Sequence, residues 1–181
     1  MKCELDAVDV FISSGSAYTD TQRMFLKSFE DFMVSNNCNP RKIGHIKTGS
    51  KVISVVRQKL SACDGAVVVA FTRYEIEKGA EFPKSKAEKA IAGMKIPTMW
   101  NQLEGGIAYG LGVPLLILAE RGLDRQGILS DGNEWVPLEI ELSAAALEEQ
   151  NFTDVFVKWR EAVQARAEAR RGTKRALGCE T

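Results

Sequence analysis

Two continuous apolar runs, Gly65-Ala66-Val67-Val68-Val69-Ala70-Phe71 and Val113-Pro114-Leu115-Leu116-Ile117-Leu118, constrain this chain more than anything else in it. Each is of strand length and neither has a polar alternation, so a strand built from it must be covered on both faces, as central strands of parallel sheets are. Helical spacing surrounds these runs. Phe25, Leu26, Phe29, Phe32 and Met33 mark a helix from Thr19 to about Val34, with Thr19 or Asp20 as N-cap. Val52, Val55, Val56 and Leu60 mark a second. Trp100, Leu103, Ile107 and Leu111 mark a third, which Gly112 closes, and Phe152, Val155, Phe156, Trp159 and Val163 a fourth. Val8 to Ile12 reads as a first strand that runs into the polar loop Ser13-Ser14-Gly15-Ser16. Strands alternating with helices predict a three-layer α/β sandwich with a mainly parallel sheet of about five strands.

The remaining elements carry weaker signals. Asn36 to Pro40 breaks the first helix, and Lys42-Ile43-Gly44-His45-Ile46 is expected to be a second strand. Trp135 to Leu142 is expected to be an edge strand, because Pro137 cannot donate to a ladder, and Gly122 to Asn133 a loop. Tyr74 to Thr98 is charged and lysine-rich with no apolar period, an insert of the length that is usually functional or mobile. Lys78, Lys84, Lys86, Lys89 and Lys95 interleave there with Glu75, Glu77, Glu81 and Glu88, the mixed signs of a solvated loop or helix, where a partner docks or a lid closes. Residues 1–165 read as one domain and 166–181 as a polar tail that frays.

Charge and composition limit the chemistry. With 24 Lys and Arg against 24 Asp and Glu in 181 residues, the chain lacks the basic surplus that holds nucleic acid or anionic membrane, so neither is expected as a partner. One His and four scattered Cys, none in a C-x-x-C pair, leave no ligand set for a metal and no His relay. Cys38 and Cys63 read as reduced, buried small hydrophobes. The N-terminus lacks an apolar signal core and no window approaches the ~18 apolar residues of a span, so a cytoplasmic location is expected. Chemistry must then come from carboxylates, hydroxyls, amides and backbone.

In a parallel sheet, ligands bind beyond the carboxyl ends of the strands, so the loops after Ile12, Phe71 and Leu118 should share one rim. Glu104 stands out there: its helical phase puts it beside apolar residues that should face the sheet. It is either a carboxylate at the margin of the stripe, reaching solvent or a cation, or one held in a partly desolvated cleft against Trp100. Two glycines directly after it, Gly105 and Gly106, cost about 1 kcal/mol each in a helix, which makes sense where a ligand or a neighbouring backbone comes close. Ser13, Ser14, Gly15 and Ser16 offer hydroxyls and N–H groups to a phosphate or ribose, or simply form an N-cap loop. Arg73 and Tyr74 would hold a diphosphate and stack on a ring, or be a surface Arg and a packing Tyr, and Trp100 would stack on a base or join the core. Asp64, before its strand, falls at the opposite rim and reads as a cap or turn residue. His45 reads as an ordinary residue, and Tyr109 lies off the face of Glu104.

The strand Val10-Phe11-Ile12-Ser13-Ser14, the Trp100-x-x-x-Glu104 helix and the small-residue passage from Gly112 into the next strand, taken in order, resemble the TIR domain family and its relatives, the nucleoside 2-deoxyribosyltransferase-like proteins. The matching stretches lie between Asp9 and Glu120. The resemblance implies a flavodoxin-like fold in which Glu104 is catalytic in the cleavage of an N-glycosidic bond. Ser13, Ser14, Gly15, Ser16, Phe71, Arg73, Trp100 and Asn101 complete the expected site as substrate-binding residues. In the TIR branch the substrate is NAD, which is hydrolysed or cyclised, no further cofactor is needed, and self-association and a part in bacterial defence or signalling are expected. In the transferase branch the glutamate attacks a deoxynucleoside, and an acid after the third strand protonates the leaving base. Here that strand runs into Ala70-Phe71-Thr72-Arg73-Tyr74, with no acid before Glu75, which favours a substrate whose leaving group needs no proton. A non-catalytic module that binds a nucleotide or assembles with its own kind is the third expectation.

Overall fold

A computed structural model describes residues 7–42, 51–131, 135 and 137–176. In chain order its elements are β1 (Val8–Ser14), α1 (Asp20–Ser35), β2 (Cys38–Arg41), α2 (Val52–Ala62), β3 (Gly65–Ala70), β4 (Tyr74–Glu75), β5 (Ala80–Glu81), β6 (Lys89–Ala90), β7 (Lys95–Ile96), α3 (Met99–Gly110), β8 (Leu115–Glu120), β9 (Leu138–Ile140) and α4 (Gln150–Ala176). Five strands form one sheet in the order β2-β1-β3-β8-β9, and every pairing in it is parallel. This is the doubly wound, flavodoxin-like order, with its reversal between β1 and β3.

The period-2 alternation of the central strands sorts their side chains into two layers. Val8, Val10 and Ile12 of β1, Val67 and Val69 of β3 and Leu116 and Leu118 of β8 pack with Phe25, Phe29 and Met33 of α1 and with Phe152, Phe156, Trp159 and Val163 of α4. Residues of the opposite phase, Phe11 and Ala66, meet Val56 and Leu60 of α2 and Ala108 of α3. Val68, Ala70 and Ile117 meet the loop residues Leu123, Ile128 and Leu129. The two apolar runs are thus central strands covered on both faces, and β3 is buried at all six positions.

Local signals set the helix ends. Thr19, not Asp20, caps α1 in a reciprocal box with Gln22, whose backbone N–H donates to the Thr19 hydroxyl at 3.1 Å. Thr98 caps α3, which therefore begins at Met99, and Gly112 takes the positive φ of +61° that turns the chain into β8.

Four expectations need correction. The second strand is Cys38–Arg41, earlier than the predicted Lys42–Ile46, and residues 43–46, His45 among them, lie outside those described. Among the described residues β1 is its sole partner, which makes it an edge strand, a place where Pro40 is tolerated. The other edge strand is shorter than predicted: Leu138–Ile140 pairs with β8, while Trp135 leaves the ladder to donate from its indole N–H to Ile128 O at 2.8 Å. The charged insert is an antiparallel ribbon, with Tyr74 opposite Ile96 and Glu75 opposite Lys95 at its base and Ala80 opposite Ala90 and Glu81 opposite Lys89 farther out. Finally, the predicted frayed tail is helical through Ala176: Arg166 donates to Gly112 O, Arg170 to Ala62 O and the Asp64 carboxylate, and Arg171 to Ala7 O. Residues 177–181 lie outside those described.

Candidate active site

An open cavity of about 720 Å³ lies at the carboxyl ends of β1 and β3, at the point where the strand order reverses. Ser14 at the end of β1 and Gly15, Ser16 and Tyr18 after it, Phe71, Thr72, Arg73 and Tyr74 after β3, and Thr98, Trp100 and Glu104 of the α3 segment line it, together with Lys42 and the α2 residues Val52 and Val56. Glu104 is the one carboxylate among the described residues that line it. Trp100 is 48% exposed, so it is a wall of the cavity and not a core aromatic.

Gly105 sets the depth at which Glu104 sits. A Cβ on it would stand 2.7 Å from Ile128 Cδ1 and 3.3 Å from Val68 Cγ2, so a hydrogen at this position lets α3 lie directly on β3. A Cβ on Gly106 would meet nothing within 4 Å. Only the first of the two glycines answers to close packing within the chain.

Beneath the cavity, Ser13 shares the phase of Phe11 along β1 and so faces the α3 layer. Asn101, 1% exposed in the first turn of α3, donates to Ser13 O at 3.2 Å and to Ser13 Oγ at 3.1 Å. Ser13 and Asn101 therefore sit behind the cavity wall, in contact with each other, instead of lining it as substrate contacts. Partial burial pushes the Glu104 carboxyl above the ordinary glutamate range, and a hydrogen bond from Ser13 draws it partly back. The predicted ligand set otherwise comes together: Ser14, Gly15, Ser16, Phe71, Arg73, Trp100 and Glu104 share this one cavity.

Two cationic side chains face the opening. Lys42 pairs with Glu30. The Arg73 guanidinium is held by rings, 4.1 Å from the centroid of Tyr18 and 5.8 Å from that of Tyr74. The loop behind Arg73 is fixed by Glu120 at the end of β8, whose carboxylate accepts from Thr72 N at 2.7 Å and from Gln22 Nε2 at 3.3 Å. Glu120 does not line the cavity. Two of the three predicted loops, those after β1 and β3, thus meet at this rim, while β8 sends Glu120 to support the second and no residue after Leu118 lines the cavity among the described residues.

No family model, curated protein or solved structure matches the chain.

The site accordingly rests on its own geometry. Sequence reasoning missed Tyr18, Thr72, Thr98, Lys42, Val52 and Val56. Tyr18 and Thr98 adjoin or form helix N-caps, and a rim argument extended by a few residues reaches them. Val52 and Val56 are indistinguishable in sequence from the rest of the α2 apolar stripe. Asp64 takes the structural part expected of it at the opposite rim, accepting from Asp9 N at 3.0 Å and pairing with Arg170 at 2.7 Å. Tyr109 packs against Trp135 at 4.6 Å between ring centroids and takes no part in the cavity. Among the described residues there is no group of three or more His, Cys, Asp or Glu that could hold a metal ion, and no helix long and apolar enough to cross a membrane.

Proposed function

We propose that this cavity cleaves the N-glycosidic bond between nicotinamide and ribose in NAD. The observation that carries the reading is the partly desolvated carboxylate of Glu104, the one carboxylate among the described residues that line the cavity. When the C1′–N bond breaks, its electron pair leaves with nicotinamide and neutralises the pyridinium, so the departing group takes no proton from the protein. Positive charge develops on the sugar, where a carboxylate in a low-dielectric site stabilises it more strongly than it would in water. Water or a hydroxyl of the same substrate then adds to C1′, and Glu104 accepts the proton released. Trp100, half-exposed at the wall, offers apolar surface to the base, and Arg73, held by two tyrosine rings, offers a guanidinium to the diphosphate.

A deoxynucleoside base, by contrast, leaves as an anion unless an acid protonates it, which calls for a second carboxyl in the same cavity. The test incubates the protein and its Glu104→Ala variant with NAD and, separately, with deoxynucleosides, following free base by chromatography. Nicotinamide release that Glu104→Ala abolishes is the expected result. Release from NAD that survives Glu104→Ala overturns the mechanism, and release from deoxynucleosides alone assigns the cavity to base exchange. No release at any protein concentration overturns the reading and favours a non-catalytic module that binds a nucleotide or assembles with its own kind. A part in defence or signalling and self-association belong to the same reading through the family resemblance alone.

A further inference from the structure

Gln22 is buried in the first turn of α1, and both ends of its side-chain amide are bound by segments that carry cavity residues. Its Oε1 accepts from Tyr18 N at 3.0 Å and from Thr19 N at 3.5 Å, which completes the capping box of α1. Its Nε2 donates to Thr72 O at 3.4 Å and to the Glu120 carboxylate at 3.3 Å. A carbonyl can only accept and a backbone N–H can only donate, so the orientation of the amide is settled. The same Glu120 oxygen accepts from Thr72 N at 2.7 Å, so Gln22 and Glu120 together hold both backbone polar groups of Thr72, the residue before Arg73. On the other side Gln22 holds the backbone of Tyr18, whose ring centre lies 4.1 Å from the Arg73 guanidinium. A cap alone would not select glutamine here. Glutamate fills this position of the box equally well and adds a negative charge where the helix dipole favours one. It has no hydrogen to give Thr72 O, however, and it would set a second carboxylate against Glu120. The amide nitrogen, which the cap does not use, is what the rim requires.

We propose that Gln22 is a positioning residue that, paired with Glu120, holds Arg73 against Tyr18 in the place from which it meets the diphosphate of the substrate. Neither Gln22 nor Glu120 lines the cavity, so both act through the residues they hold. The other ties of Arg73 do not duplicate this work. Its backbone N–H donates to Ile96 O at 2.8 Å and the Tyr74 ring lies 5.8 Å from its guanidinium, which fixes it to the ribbon and not to the segment after β1. Gln22 joins those two segments from beneath.

This inference rests on Arg73 being the anchor of the diphosphate, but its test uses no reaction and so stands or falls apart from NAD cleavage. The Nε–Hε signal of Arg73 would be followed by NMR in the ¹⁵N-labelled protein, assigned by its loss in Arg73→Lys. The ring current of Tyr18 displaces that signal, and Tyr18→Leu gives its position without the ring. Gln22→Glu keeps the cap and should move the signal towards the Tyr18→Leu position. The Gln22→Glu/Glu120→Gln double variant exchanges the two groups, leaves one donor and one acceptor between them, and should return the signal. In the same samples the affinity for ADP-ribose should fall about three- to tenfold in Gln22→Glu and recover in the exchange. The affinity for adenosine, which lacks the diphosphate, should not change. A signal that Gln22→Glu leaves in place, or that the exchange does not return, overturns the proposal, as does equal weakening of ADP-ribose and adenosine. ADP-ribose affinity lost in Arg73→Ala alone overturns the part given to Gln22, whereas affinity that ignores Arg73→Ala as well overturns the reading of Arg73 beneath it. Should Gln22→Glu fail to melt cooperatively, Gln22→Met, of similar length and with no donor, takes its place for both measurements.

Discussion

The guanidinium of Arg73 lies 4.1 Å from the centre of the Tyr18 ring, so the segments after β3 and after β1 are joined across the mouth of the cavity. The same Arg73 begins the ribbon insert, its backbone N–H donating to Ile96 O at 2.8 Å. The insert is tied to the body at a second point, where Asp124 N donates to Lys95 O at 2.8 Å. Anything that draws on Arg73 therefore touches the base of the ribbon as well as the rim.

If Arg73 holds the diphosphate, Arg73→Ala should raise KM for NAD about ten- to a hundredfold, since hydrogen bonds to charged groups contribute about 1.5–3 kcal/mol. kcat should change far less. Nicotinamide riboside, which has the scissile bond and no diphosphate, should show no comparable change. Steady-state kinetics on both substrates checks this, and an equal loss on both places Arg73 elsewhere in the reaction.

Burial raises the folded-state pKa of Glu104 above the ordinary range, so the carboxyl favours the folded state when protonated and opposes it once ionised. That contribution is complete below the unfolded pKa, about 4.3, and is lost as pH rises through the folded value. Glu104→Gln should therefore melt at a higher temperature than the native protein at pH 7, with the difference shrinking towards pH 4. Thermal melts across that range test the sign; a Gln variant that is less stable at pH 7 contradicts it. In the proposed reaction the acid limb of kcat/KM should fall above the ordinary glutamate range, because the ionised form is required.

The adjacent glycines should respond in opposite directions to the same change. Gly106→Ala meets open space and should stabilise by about 0.5–1 kcal/mol through the helix interior. Gly105→Ala drives a methyl into Ile128 and Val68 and should destabilise by about 1–3 kcal/mol, while lifting Glu104 away from Ser13. Urea unfolding of the two variants measures both. Equal effects of one sign would show that α3 does not rest on the sheet as described.

Cys38 and Cys63 are free and buried, and burial next to Asp9 and Asp64 pushes the Cys63 thiol up to about 11. Neither should react with iodoacetamide in the folded protein at pH 8, and both should react in denaturant. Peptide mapping by mass spectrometry separates them from Cys3 and Cys179. Prompt labelling of Cys63 in the native state would mean that the α2–β3 corner opens.

The parts of the fold legible in sequence are those where one physical demand acts alone. Val67 to Ala70 and Leu115 to Leu118 allow only a strand covered on both faces, and Phe25, Phe29 and Met33 allow only a helix with one buried stripe. Cys38-Asn39-Pro40-Arg41 was illegible because pairing with β1 overrides its poor strand propensity. The ribbon was hidden by strands of only two residues, too short for any period to register. At the site, Glu104 betrayed itself by its phase on α3 and Arg73 by its rim position. Asn101 and Ser13 read as ligand contacts in sequence, which gives a residue's neighbourhood without its depth, and both are buried.

The arginines of α4 have a consequence for how this protein can change. Arg166, Arg170 and Arg171 bind Gly112, Ala62, Asp64 and Ala7 at the end of the sheet away from the cavity. The clasp and the proposed site thereby stand at opposite poles of one scaffold. Variation that retunes the lining of the cavity leaves that clasp untouched, and a stronger clasp can offset the losses such retuning incurs.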